Sequence, residues 1–194
     1  GPFIYEAGCE KTKLFGFCLS GEKLLDKCAL IKNRLATITN NIANGGYRSG
    51  GGILILEGSP IITNTIIDSN LGEAFYLNGG SPRLTNINMD NNISTYTFLI
   101  QAAEQVIVNN MNISGGIKTY SSGGSTNHSI NFTNITINDD GNLMNISSSR
   151  VVFTNATIGG TVNAYSTANI TFNNSIIWDN EDSLASSINT ANLN

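Results

Sequence analysis

Charge is scarce in this chain of 194 residues: Lys and Arg number 10, Asp and Glu 14, together 12% of the sequence. With a formal net charge of −4 there is no basic footprint, which argues against a nucleic-acid partner. Histidine occurs once, and the three cysteines, Cys9, Cys18 and Cys28, fall in the first 28 residues at no zinc-ligand spacing, so neither a metal nor a cofactor is expected. Uninterrupted apolar runs stay far below the roughly 20 residues that a membrane-spanning helix needs. G-x-S-x-G, P-loop and H-E-x-x-H motifs are all missing. These absences remove the common catalytic signatures and leave a weakly acidic chain.

What is present is Asn, Ser and Thr in quantity, with many β-branched residues and 20 Gly. Disordered chains are charged and poor in β-branched residues. This composition instead suits a polar β-structure that uses amides and hydroxyls in place of charges. The length fits one domain, or one domain with a small appendage.

Self-similarity carries the architecture. Aligned segments read "ATITNNIA", "IITNTIID", "RLTNINMD", "IVNNMNIS", "NFTNITIN", "VFTNATIG" and "TFNNSIIW". The shared asparagines are Asn40, Asn64, Asn86, Asn110, Asn134, Asn155 and Asn174, spaced 24, 22, 24, 24, 21 and 19 residues apart. Two positions before each stands an apolar residue (Ile38, Ile62, Leu84, Val108, Phe132, Phe153, Phe172). Three positions after stands another (Ala43, Ile67, Met89, Ile113, Ile137, Ile158, Ile177). Such a coil cannot bury its apolar face alone, so the coils stack, with equivalent residues about 4.8 Å apart. Asn suits a corner because it tolerates left-handed backbone geometry. Its amide can also hydrogen-bond to the same amide one coil away. A second corner is predicted at "DSN", "DNN" and "WDN", ending at Asn70, Asn92 and Asn180. The expected division is a cysteine-bearing cap over 1–34, about seven coils over 35–180, and a polar tail over 181–194.

These phrases, with "GGGILI" and "SPIITNTIIDSN", resemble right-handed parallel β-helix repeat proteins, the pectate-lyase-like superfamily. The resemblance implies an all-β, single-stranded right-handed parallel β-helix. It leaves function open, because lyases, hydrolases, adhesins and phage spikes share the fold. The repeats are also loosely similar to those of polymorphic outer membrane proteins, which are surface adhesins. Those use F-x-x-N, where this chain has F-x-N.

The ends read differently. In "GEKLLDKCALIKNR", Leu24, Cys28, Ile31 and Leu35 recur at helical spacing, which predicts an N-terminal capping helix over the first coil, with Ser20 as N-cap. An odd number of cysteines allows one intrachain disulfide plus a free thiol, or a bond to another chain, and oxidised cysteines point to a secreted protein. After Trp178 the chain is polar without an amphipathic cap, which leaves an edge that could meet another copy end to end.

Candidate chemistry is thin. Enzymes of this fold that act on polysaccharides set acidic clusters on adjacent coils, and the best pair here is Asp68 and Asp90, each four residues after its ladder Asn. At a spacing of about 5 Å they would resemble the carboxylates of a retaining glycosidase. The next coils place Ser114, Asn138 and Gly159 in that column, so solvated turn aspartates are the expected reading. "NDDG" holds Asp139 and Asp140 in ordinary turn chemistry, and His128 reads as a loop residue. Sequons occur at Asn92, Asn112, Asn127, Asn131, Asn134, Asn145, Asn155, Asn169 and Asn173. The ladder role of Asn134 and Asn155 predicts little modification there. Asn112, Asn131, Asn169 and Asn173 should face solvent, and Asn92, Asn127 and Asn145 should lie in turns. The expectation is a non-catalytic, glycosylated protein of the cell surface or extracellular space. It would be adhesin-like or a subunit of a coat or fibre, partnered by itself or by surface glycans and proteins. A polysaccharide lyase or hydrolase is the alternative.

Overall fold

The computed structural model of the chain describes residues 17–19, 36–40, 50–55, 58–120, 128–138, 144–147, 150–165, 168–178 and 188–189. In chain order its strands are β1 (Phe17–Leu19), β2 (Ala36–Thr39), β3 (Gly50–Ile55), β4 (Ile61–Asp68), β5 (Glu73–Asn78), β6 (Arg83–Asp90), β7 (Phe98–Gln101) and β8 (Gln105–Ser114). They continue as β9 (Ile117–Tyr120), β10 (Ser129–Asn138), β11 (Met144–Ser147), β12 (Arg150–Gly159), β13 (Val162–Tyr165), β14 (Asn169–Asn173), β15 (Ile176–Trp178) and β16 (Ile188–Asn189). The strands pair in parallel throughout. One sheet runs β1-β3-β5-β7-β9-β11-β13, and the larger runs β16-β14-β12-β10-β8-β6-β4-β2, with β15 beside β12. The chain alternates between sheets, so neighbours in either sheet lie one turn apart. The fold is an all-β parallel solenoid, and β4 through β13 make five complete turns.

The predicted inward columns are there. Ile62, Leu84, Val108, Phe132, Phe153 and Phe172 are buried, as are Ile67, Met89, Ile113, Ile137 and Ile158, with Ile177 packed partly against them. A third inward column was not foreseen: Thr65, Ile87, Met111, Ile135, Ala156 and Ser175, one residue after each ladder asparagine. Its cause is the backbone. Asn64, Asn86, Asn110, Asn134, Asn155 and Asn174 all have φ between 45° and 56°, and each such residue resets the in–out alternation of its strand. Inward positions are therefore −2, +1 and +3 from the asparagine. Where the +1 residue is polar it satisfies itself locally: the Thr65 hydroxyl donates to the Thr63 carbonyl at 3.1 Å and Ser175 to Asn173 at 2.9 Å.

Aromatic rings follow the same stacking. Phe132, Phe153 and Phe172 occupy consecutive rungs with centroids 5.0 Å apart and planes 6° and 12° from parallel. The rung spacing dictates that separation, and offset ring pairs at this distance contribute about 0.5–1.5 kcal/mol each beyond burial. Phe98 meets Phe132 edge-on at 6.3 Å and is tilted against Phe75 at 5.4 Å.

The first repeat departs from its expected register. β2 joins the second half of β4, pairing Ile38 with Ile67 and Thr39 with Asp68. Ile38 thus belongs to the +3 column, and Asn40 lies at the second corner with Ser69 and Asn91, all at φ between 50° and 57°. "ATITNNIA" fits the repeat template in letters, but interstrand pairing sets its place. The count of about seven coils falls accordingly. The expected capping helix, Cys9, Cys28 and Asn180 lie outside the described residues, while Cys18 sits in β1 opposite Leu54 of β3. Within the span expected to be a tail, β16 pairs with β14 and continues the larger sheet.

Candidate functional site

The repeat puts asparagine where the long strands bend, and a non-glycine residue there must accept left-handed geometry, which Asn does at low cost. Stacking then brings the six carboxamides into one line. Each Nδ2 donates to the Oδ1 one turn earlier: Asn86 to Asn64 at 2.8 Å, Asn110 to Asn86 at 3.1 Å and Asn134 to Asn110 at 3.1 Å. Asn155 to Asn134 at 3.1 Å and Asn174 to Asn155 at 2.7 Å complete the series. The ladder begins at Asn64. Asn40 takes no part in it, for the register reason given above.

The ladder is exposed, not turned into the core: Asn86, Asn110, Asn134, Asn155 and Asn174 all face solvent. Beside it the outward position two residues later is Ile66, Asn88 and Asn112 on successive turns. Asn112 donates to Asn88 at 2.9 Å, making a second, shorter amide pair parallel to the first. The two columns line an open groove of about 440 Å³ that runs across β4, β6, β8 and β10, and among the described residues no charged side chain lines it. Asn88 escaped notice in the sequence, yet it shares the +2 offset with Asn112, and that shared offset was the available signal.

Asp68 and Asp90 are brought together as anticipated, paired across β4 and β6. Their hydrogen bonds are those of a corner. Asp68 accepts from the Asn91 amide and the Ser69 hydroxyl, both at 3.0 Å, and Asp90 accepts from the backbone N–H of Asn91 at 2.9 Å. Just inside this corner Asn70 and Asn92, where the second corner was expected to end, are hydrogen-bonded to each other. Buried Asn70 donates to the Ile38 carbonyl at 3.1 Å and to Asn92 Oδ1 at 2.9 Å. Asn92 gives its two amide hydrogens to the carbonyls of Ile67 and Asp90, each at 2.8 Å. A sugar on the Asn92 nitrogen must displace one of those bonds.

The remaining sequons divide. Asn112 and Asn169 are exposed, Asn131 and Asn173 are half-buried, and Asn127 lies outside the described residues. Asn145 is in strand β11, not a turn, because Met144 and Ile146 on either side point into the core; its Nδ2 donates to the Tyr96 hydroxyl. Near it Lys118 lies 4.9 Å from the Tyr96 ring centre and 5.7 Å from that of Tyr120. The Tyr120 and Tyr76 hydroxyls both meet Gln101 Oε1 at 2.6 Å. His128 is half-buried and bonds through Nδ1 to the Ala103 carbonyl, while Asp139 and Asp140 lie outside the described residues. Among the described residues no three of His, Cys, Asp or Glu group as a metal site would require. No described helix is long and apolar enough to cross a membrane.

No family model, no curated protein and no solved structure matches this chain.

Proposed function

We propose that this chain is a non-catalytic secreted or cell-surface protein, a right-handed parallel β-helix that serves as an adhesin-like module or as a structural subunit of an extracellular coat or fibre. The observation that supports this reading is the chemistry of the outward columns. Uncharged amides and hydroxyls repeat rung after rung, and the acidic pair among the described residues, Asp68 and Asp90, is engaged by Ser69 and Asn91. A general acid needs a raised proton affinity and a substrate in reach. Here both carboxylates are instead taken up in the hydrogen bonds of the corner itself. Glycans on Asn131, Asn169 and Asn173 belong to this proposal, as does end-to-end association for a fibre; Asn112, whose nitrogen donates to Asn88 in the groove, is left bare.

The test is incubation with a panel of acidic and neutral polysaccharides, read as new reducing ends or unsaturated products. No cleavage is expected. Cleavage that disappears in Asp68→Ala would overturn the reading in favour of a polysaccharide-active enzyme. For the fibre form, sedimentation at rising concentration should show growth of the particle; a fixed monomer mass removes that form and leaves the adhesin-like one.

A further inference from the structure

We infer that the carboxamide groove across β4, β6, β8 and β10 is a binding site for an uncharged, linear oligosaccharide laid along the solenoid axis. This deepens the adhesin-like reading above and rests on it.

Three observations carry the inference. The first is unused hydrogen-bonding capacity. A carboxamide has two N–H donors and two acceptor lone pairs. Inside the ladder Asn86, Asn110 and Asn134 each commit one donor and one lone pair to their neighbours. The other donor and lone pair of each are left over on exposed residues that line the open groove, and Asn112 and Asn88 add a parallel set. The second is charge. Among the described residues the lining is made of Asn, Thr, Ile and Met alone, so these offer an ionic ligand no counter-charge, whereas a hydroxyl-rich neutral chain finds a donor and an acceptor at every rung. Ile66, at the end of the second column, gives the C–H face of a sugar ring an apolar contact. The third is period. The rungs recur at about 4.8 Å, a spacing that an extended peptide, at about 3.3 Å per residue, cannot follow. A pyranose unit spans a length of the same order as one rung, so successive sugars can meet successive amides.

The groove asparagines also hold the amides ready. Asn86, Asn110 and Asn134 are each held between two neighbours, so little rotamer freedom remains to be lost there when a ligand arrives.

The experiment is calorimetric titration of the full, unglycosylated chain with uncharged linear hexose oligomers of increasing length. Acidic oligomers and a neutral extended peptide run beside them. Four rungs span about 14 Å, three steps of about 4.8 Å. Affinity should therefore rise with oligomer length until that span is covered and then level off. Asn88→Ala with Asn112→Ala removes the second amide column and only its one mutual bond, so the chain keeps its fold. Binding should weaken by about tenfold or more, equivalent to about 1.4 kcal/mol. Asn169→Ala, exposed on β14 and away from the groove, should leave binding unchanged. Absence of binding by every neutral oligomer, binding unchanged in the double variant, or stronger binding of the acidic oligomers or the peptide would each overturn the inference. Oligomers that bind and are also cut would overturn the non-catalytic role while leaving the groove assignment standing, so the two failures are distinguishable.

Discussion

Replacing Asn110 at the middle of the ladder separates the two things its side chain does. It makes two interturn bonds, to Asn86 Oδ1 and from Asn134 Nδ2, both 3.1 Å long and both exposed. Their net worth is about 0.5–1.5 kcal/mol each, nearer the lower bound because water competes for the groups. The residue also sits at φ 54°, where a side chain without Asn's tolerance costs about 1–2 kcal/mol. Asn110→Ala loses both contributions, about 2–4 kcal/mol. Asn110→Gly loses the bonds but not the backbone fit, and its extra unfolded-state freedom costs about 0.5–1 kcal/mol. The glycine variant should thus be destabilised by about 1.5–3 kcal/mol and stand above alanine. Asn40 serves as the control. It shares the left-handed geometry, at φ 57°, but is outside the ladder, so Asn40→Ala should lose the backbone contribution and Asn40→Gly only the unfolded-state cost of about 0.5–1 kcal/mol. Urea unfolding reads these differences as midpoint shifts at constant m-value. Equal stability of the alanine and glycine variants at residue 110, or an alanine variant as stable as the parent, would refute the reasoning.

Other positions give shorter tests. Phe153 is fully buried and stacked on both Phe132 and Phe172, so Phe153→Ala should cost about 3–5 kcal/mol in urea unfolding, and Phe153→Leu distinctly less. The Thr119 hydroxyl is buried in the inward column between Ile100 and Ile146 with no hydrogen-bond partner among the described residues. Thr119→Val removes an unsatisfied polar group at nearly constant volume, and thermal melting should show a protein stabilised by about 1 kcal/mol. At Gly115, φ is 115° and an added Cβ would collide with the Thr97 hydroxyl; Gly115→Ala should therefore destabilise by about 1–3 kcal/mol, visible as a lower melting temperature.

The solenoid was legible in the sequence because its rule is local and repeated: two apolar columns and an asparagine, seen in every turn. The third inward column was not legible by alternation alone. Alternation assumes one backbone conformation along a strand, and the left-handed asparagine breaks that assumption, turning Ile87, Met111 and Ile135 inward. Asn40 was misplaced for another reason. Its neighbours match the template in letters, but register is decided by which strand edge is available, and β2 finds the second half of β4. Asn145 looked like a turn residue because polar residues surround it, and only the flanking Met144 and Ile146 marked a strand. The acidic pair was correctly brought together by counting rungs. What it does was not legible, since that depends on Ser69 and Asn91, whose side chains reach it only at the folded corner.

Every amide in the ladder points the same way, nitrogen toward the earlier turn and oxygen toward the later one. The side chains therefore form a row of aligned dipoles with a sense, and no interior member can turn over alone. Reversing one sets N–H against N–H on one side and oxygen against oxygen on the other, losing two bonds worth about 1–3 kcal/mol together. Reversal that starts at an end creates a single fault, which can then move from rung to rung without further loss. The six asparagines thus share one sense of orientation from Asn64 to Asn174, and its ends are where reversal costs least.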